Sequence, residues 1–267
     1  MDSATHNTAL RLVDDLIADG KMHFTFNEAV PRAGRSPTAT ANLLRRMVAA
    51  GLVDRVSRGH YVVRQLGVLG TRAAAEDVAM AVAAAFSGQA HRMAYRTALD
   101  EHDLIAHPAR TICVATTRRV RVKSLSGRPL RTVVEPEASI GVGAEAYGPS
   151  RISTVERALL DAAARPELVG GAAVLAEAMV SAGEGVDGER LSHFAEELGW
   201  AAALRRVGSI SDALEIEGLA GRLQPLRPPA ADLELEPGLG RERAWRDGRW
   251  RVRWAVTPGE LANVGRQ

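Results

Sequence analysis

Cysteine is nearly absent from this 267-residue chain. The one thiol, Cys113, sits in the apolar run TICVAT. A lone cysteine cannot close an internal disulfide or build a zinc site, and it reads as a small buried hydrophobe. Aromatic residues make up only 4%, so any core has to be built from Ala, Leu and Val. Lysine occurs only at positions 21 and 123, and arginine carries the rest of the positive charge. Long apolar runs are missing too. The Ala-rich stretch from Ala73 to Phe86 is short and carries Glu76 and Asp77, so it cannot span a bilayer. No basic segment followed by an apolar one marks a secretory signal, and the expectation is a soluble cytoplasmic protein. The chain has no GxxxxGK[ST], HExxH or GxSxG, and its seven histidines show no paired metal-ligand spacing on one helix. No cofactor, metal or catalytic centre is expected.

What remains is globular: 46% hydrophobic and 25% charged, with a net charge of only +2. That length and composition give two domains. The expected fold is α+β, with a winged helix-turn-helix over residues 1–66 and a mixed α/β domain with a terminal β-hairpin over 67–267. Charge distribution says more than net charge. Arg110, Arg118, Arg119, Arg121, Lys123, Arg128 and Arg131 follow one another with no acid among them. A second basic run, Arg241 to Arg253, lies near the C-terminus.

In the first seventy residues, Leu10, Val13, Leu16 and Ile17 fall at helical spacing, and Gly20 ends that helix. HFTF is extended. Thr25 and Glu28 have the spacing of a capping box for a second helix reaching Ala33, and Gly34 makes the turn. Ser36 is a good N-cap and Pro37 suits the first helical position, so a third helix runs to Ala50. Its pattern puts Ala41, Leu44, Met47 and Val48 inward, Thr38, Asn42 and Arg46 outward, and Arg45 on the flank. LVDRV-SRGH-YVV then reads as a hairpin with Arg58 and His60 at or beside its tip. This order of elements is that of a winged helix-turn-helix. Arginine can bond guanine edges and asparagine can bond adenine, and both reach phosphate. Arg35, Ser36, Thr38, Asn42, Arg45, Arg46, Arg58 and His60 are therefore the candidate contacts to double-stranded DNA. The bland reading is a helical hairpin with solvated arginines.

Downstream, Ala73 to Phe86 and His91 to Leu99 read as helices, and Ile112 and Val114 as a buried strand. From Arg118 the pattern has period two, with Arg119, Arg121 and Lys123 on one side of a half-buried strand and Val120 and Val122 on the other. Ser126-Gly127 turns it. Arg118, Arg119, Arg121 and Lys123 thus form a possible second basic surface, for DNA, for a partner, or merely solvated. In SRISTVERALLDAAARPELVGG, Ser153 and Glu156 have capping-box spacing. Val155, Leu159, Leu160 and Ala163 form a stripe, and Arg157 and Asp161 pair on the surface. Helices follow at Ala172 to Ala182, Glu189 to Leu198 and Trp200 to Val207. Asp247-Gly248 turns a final hairpin with Trp250, Val252 and Trp254 on one face and Arg249, Arg251 and Arg253 on the other.

MAYRTALDEHDLIAHPARTICVATTRR followed by ISTVERALLDAAARPELVGG resembles the C-terminal domain of AbiEi-type antitoxins. The resemblance spans about residues 20 to 220. It is strongest at Glu156-Arg157, Leu159-Leu160-Asp161, Arg165-Pro166-Glu167 and Gly170-Gly171. The chain departs from the family pattern at Asp103 and Thr154. The resemblance implies an antitoxin that represses its own promoter through inverted repeats and counteracts a nucleotidyltransferase-like toxin. A monomer in solution that pairs on DNA is expected. Gly208-Ser209 and Asp232-Leu233-Glu234 echo the metal-binding motif of the nucleotidyltransferases themselves, but Pro225, Pro228 and Pro229 interrupt the connection. A ligand-responsive winged-helix regulator without a toxin partner is the other alternative.

Overall fold

Local signals build the first sixty residues. Thr25 accepts from the Glu28 amide while the Glu28 carboxylate accepts from the Thr25 amide, closing the capping box. Gly34 stops the helix in the left-handed region at φ 58°, which costs a residue without Cβ nothing. Two residues on, Ser36 Oγ accepts from the Ala39 amide and Pro37 opens the next helix. The resulting order is α1 (Ser3–Ala18), β1 (His23–Thr25), α2 (Phe26–Ala33), α3 (Pro37–Ala49), β2 (Val53–Ser57), β3 (His60–Val63) and α4 (Val78–Ala85).

The computed structural model describes residues 3–57, 59–64, 78–120, 122–125, 128–238 and 244–264. The chain is mixed α+β, as expected. It forms two compact units: residues 1–89 with 120–130 and 148–150, and residues 90–119 with 131–147 and 151–267.

In the first unit the strands are ordered β1-β3-β2, all antiparallel. Phe24 faces Tyr61 across β1 and β3, their rings stacked with centroids 5.6 Å apart. The core gathers Leu12, Leu16, Phe24, Leu44, Met47 and Val53, none more than 1% exposed. Two positions read as inward-facing turn outward: Leu10 and Ile17 of α1 are 38% and 42% exposed. Ala9, Leu12, Val13 and Leu16 form the buried stripe instead. In α3 the buried side is Thr40, Leu43, Leu44 and Met47, and Ala41 is exposed. The pair Leu43-Leu44 rotates the helix away from the expected orientation, because two adjacent leucines bury more apolar area than Ala41 and Val48. α4 lays Ala81 and Ala84 against Val62 of the hairpin.

Along the chain follow β4 (His91–Met93), α5 (Arg96–Glu101), β5 (Ile112–Thr116), β6 (Ser124–Leu125), β7 (Arg128–Val134), α6 (Glu137–Gly141), β8 (Ala144–Tyr147) and β9 (Ser150–Ser153); all belong to the second unit except β6, residues 128–130 of β7 and Ser150 of β9, which fall in the first. Next come α7 (Val155–Ala164), α8 (Ala172–Ala182), α9 (Gly188–Glu197) and α10 (Ala201–Ala213), and finally β10 (Leu233–Glu234), β11 (Trp245–Asp247), β12 (Val252–Trp254) and α11 (Pro258–Val264). The order of the second unit's main strands is β7-β5-β4-β9-β8. β5 is buried along its whole length, as its apolar run foretold.

Three expectations fail here. His91 to Leu99 is not one helix: His91–Met93 is a strand between β5 and β9, and the helix starts only at Arg96. Pairing on both sides outweighs the helical propensity of Met93 and Ala94. Arg118 to Lys123 forms no strand among the described residues. The chain bends after Thr116, and the hairpin begins only where the Leu130 amide donates to the Lys123 carbonyl. Thr154, not Ser153, caps α7, by accepting from the Arg157 amide at 3.4 Å. Glu156 accepts from the Asp187 amide instead of closing a box.

α7 is packed by α5, α8, α9 and α10, and Glu156 to Ala163 are all buried. Arg157 and Asp161, read as a surface pair, lie in the interior. Asp161 accepts from Arg157 Nε at 2.8 Å, from Arg92 Nη2 at 3.0 Å and from Ser153 Oγ at 2.9 Å. Glu135 accepts from both arginines at 2.9 Å and from the Tyr95 hydroxyl at 3.1 Å. Two guanidiniums and two carboxylates thus neutralise one another out of water, where each alone would be very costly. Arg157 also donates to the Ser139 and Val142 carbonyls and lies 4.7 Å above the Trp200 ring. The terminal hairpin packs as expected: Trp250, Val252 and Trp254 are at most 1% exposed, and β12 also pairs with β10 in parallel.

Candidate nucleic-acid interface

Burying Thr40, Leu43, Leu44 and Met47 fixes which side of α3 meets solvent. With about 100° per residue, Thr38, Asn42 and Arg45 come to the middle of that side and Arg46 toward its edge. All four are exposed, together with Ala41 and Ala49. Arg45 is therefore central rather than flanking. Ala41 and Ala49 were missed as members of this surface, although the Leu43-Leu44 pair carried the signal. Small residues between long ones leave room for another molecule's backbone to approach.

The electrostatics of this face are simple. Neither Arg45 nor Arg46 has a carboxylate partner among the described residues. Several of the unit's acids are engaged elsewhere: Asp19 with Arg32 at 2.6 Å, Glu28 with Lys21 at 3.0 Å, and Asp54 with Arg64 at 2.7 Å. The Glu28 carboxyl is held down at about 2 by the Thr25 amide and Lys21. Arg45 and Arg46 thus remain uncompensated charges on a polar face.

At the N-terminal end of α3 the exposed Ser36 spends its hydroxyl oxygen as the cap. Arg35 is half-buried, with Nη2 donating to Thr8 Oγ1 at 3.0 Å, so it braces α3 against α1. Beyond α3, Arg58 lies outside the described residues, as does Arg121. His60 is not a free tip residue. It stacks on His23 with centroids 5.5 Å apart, and its Nδ1 is 3.3 Å from His23 Nε2. Burial and the neighbouring His60 both push the His23 imidazole below its usual range, outweighing the opposite pull of Glu28. Arg118, Arg119 and Lys123 are exposed. Arg118 and Arg119 fall in the second unit and Lys123 in the first, so no single strand carries them.

The terminal arginines and the nucleotidyltransferase echo both have structural partners. Arg249 pairs with Asp212 at 2.7 Å, Arg251 with Asp232 at 2.8 Å, and Arg253 with Glu234 at 3.6 Å. Arg246 also bonds Asp232, and the two guanidiniums hold that carboxyl well below the carboxylate range. Gly208 lies under the Trp250 ring, and Ser209 Oγ accepts from Trp254 Nε1 at 3.0 Å. Among the described residues no group of three His, Cys, Asp or Glu is placed to hold a metal ion. No helix among them is long and apolar enough to cross a membrane.

Residues 11–64 match a family model described as transcriptional regulator, AbiEi antitoxin. The match covers the α1-to-β3 region and ends before the stretches at 93–119 and 152–171 that resemble the family's C-terminal domain. No curated protein matches the chain. Its fold is similar to that in the crystal structure of the RV2827C protein from Mycobacterium tuberculosis. The TM-score is 0.68 at 14% sequence identity, with 98% of this chain and 95% of that chain covered.

Proposed function

Residues 11–64 carry a domain of the AbiEi antitoxin and transcriptional regulator family, and from that premise we propose that this chain is an autoregulating antitoxin. In this reading α2, the Gly34 turn, α3 and the β2–β3 hairpin act as a winged helix-turn-helix on double-stranded DNA. α3 enters the major groove with Thr38, Asn42, Arg45 and Arg46. Ser36 and Arg35 lie near phosphate at the helix N-terminus, and Arg58 contacts the DNA backbone or the minor groove. The sites are inverted repeats in the chain's own promoter, bound by two copies that are monomers in solution. The second unit counteracts a nucleotidyltransferase-like toxin, without catalysis of its own. The supporting observation is the solvent face of α3, which carries an asparagine, a threonine and two arginines that have no acid partner among the described residues.

A base-reading arginine contributes roughly 1–3 kcal/mol, and its loss relaxes specificity at one position. Losing a phosphate contact weakens all sequences alike and lowers the salt slope. Footprinting and titration on the upstream region, with Arg45→Ala/Arg46→Ala, test the assignment. Binding as tight and as specific as wild type would remove α3 from the interface. Turnover of nucleotides, tRNA or DNA with Mg²⁺ that disappears in Asp232→Asn/Glu234→Gln would replace the antitoxin reading with an enzymatic one.

A further inference from the structure

Within the second unit a pocket of about 650 Å³ opens between the start of α5, the loop before β5, the strand β7 and the turn ahead of α8. Its lining includes Arg96, His107, Arg110 and Arg131, and no carboxylate. Arg96 is committed to structure. It donates to the Val169 carbonyl and, at 3.0 Å, to the His107 carbonyl, and so ties two walls together. Gly170 lets that guanidinium pass, since a Cβ there would lie 3.1 Å from Arg96 Nη1.

Arg110 and Arg131 are different. Both are exposed, and neither has an acceptor among the described residues. Several acids of the unit are occupied elsewhere: Asp100 accepts from the Ala109 amide at 3.0 Å, Glu177 from the Ala106 amide at 2.6 Å, and Glu135 from Arg92 and Arg157. Cys113, which also lines the pocket, is buried, and its thiol is pushed up to about 11 despite the opposing pull of Arg131 and Arg96. It is a neutral, apolar wall rather than a nucleophile.

A cavity of this volume suits a small ligand rather than a flat macromolecular surface. Its charge is of one sign, and guanidiniums match the planar fork of phosphoryl oxygens. We propose that this pocket binds a phosphorylated small molecule of nucleotide size, its phosphoryl oxygens held by Arg110 and Arg131. The assignment is independent of whether α3 reads DNA.

Calorimetric titration of the full chain with inorganic pyrophosphate and with ADP tests it. The wild type and Arg45→Glu/Arg46→Glu should each bind one anion per chain. Arg110→Glu/Arg131→Glu should bind at least roughly tenfold more weakly, as expected for lost charge-assisted hydrogen bonds, with unchanged circular dichroism and tryptophan fluorescence. Arg110→Lys/Arg131→Lys should fall between. Three results overturn the proposal: no binding of either anion to the wild type, equal binding by the Arg110→Glu/Arg131→Glu variant, or citrate binding as tightly as pyrophosphate. A fourth is binding confined to a single-stranded oligonucleotide, which would assign the same guanidiniums to a nucleic-acid backbone instead.

Discussion

Asp161→Asn is the sharpest test of the buried charge cluster. Asp161 is fully buried and accepts from Arg92, Arg157 and Ser153. Asparagine keeps the shape but removes the charge, leaving two buried guanidiniums facing one carboxylate, Glu135. Its amide would also point a donor at donors. Removing one partner of a buried pair costs about 3–5 kcal/mol. For a unit of this size each kcal/mol lowers the melting temperature by about 2–4 °C, so a fall of roughly 10 °C is expected. The assay is built in: Trp200, Trp245, Trp250 and Trp254 are the chain's four tryptophans and all lie in the second unit. Their fluorescence in urea follows that unit alone. Burial by itself would raise the Asp161 carboxyl, but Arg92 and Arg157 outweigh it and hold it low. The unfolded state therefore takes up protons first. The stabilisation is complete above the ordinary carboxylate pKa of about 4 and is lost as pH falls from there through the folded value. The variant should lack that part of the acid limb. Adding Arg157→Met to Asp161→Asn removes one charge of each sign and should recover part of the loss. A cost below about 1 kcal/mol, or an unaltered acid limb, would refute the claim that the cluster is a charge-balanced unit.

Two further outcomes are expected. Gly208→Ala would set a Cβ 2.1 Å from Trp250 Cζ2. The overpacking should cost about 1–3 kcal/mol despite the helix preference of alanine, with a shifted tryptophan spectrum, and a more stable protein in urea would contradict it. Thr40→Val should stabilise the first unit by about 1 kcal/mol, because Thr40 Oγ1 is buried with no hydrogen-bond partner among the described residues; hydrogen exchange of α3 amides reads this, and faster exchange would count against it.

Elements with short-range causes were legible in the sequence. The Thr25–Glu28 box, the Ser36-Pro37 start and the Asp247-Gly248 turn each lie within four residues of what they determine. The candidate face of α3 was legible in composition but not in rotation, since the choice between Ala41 and Leu43 depends on what α1, α2 and β2 offer to pack against. The cluster around Arg157 was illegible for a different reason. An Arg and an Asp four apart on a helix look solvent-exposed until Arg92 and Glu135, 65 and 22 positions away, are brought beside them. The strand at His91–Met93 was hidden likewise, because its partners β5 and β9 are remote in sequence. Of the pocket's arginines, Arg110 and Arg131 appeared only as the two ends of a basic run, with nothing to say that they converge with Arg96.

The first unit draws on three separated stretches of the gene: residues 1–89, 120–130 and 148–150. A single recombination junction therefore cannot transplant it whole. A fragment ending at residue 66 would leave Val62 without Ala81 and Ala84. Under the proposed DNA-reading role of α3, new operator preferences are reached more directly by point changes at Thr38, Asn42, Arg45 and Arg46 than by exchange of heads between genes. Descendants of this chain should thus diverge on one helix face while inheriting the interleaved framework together.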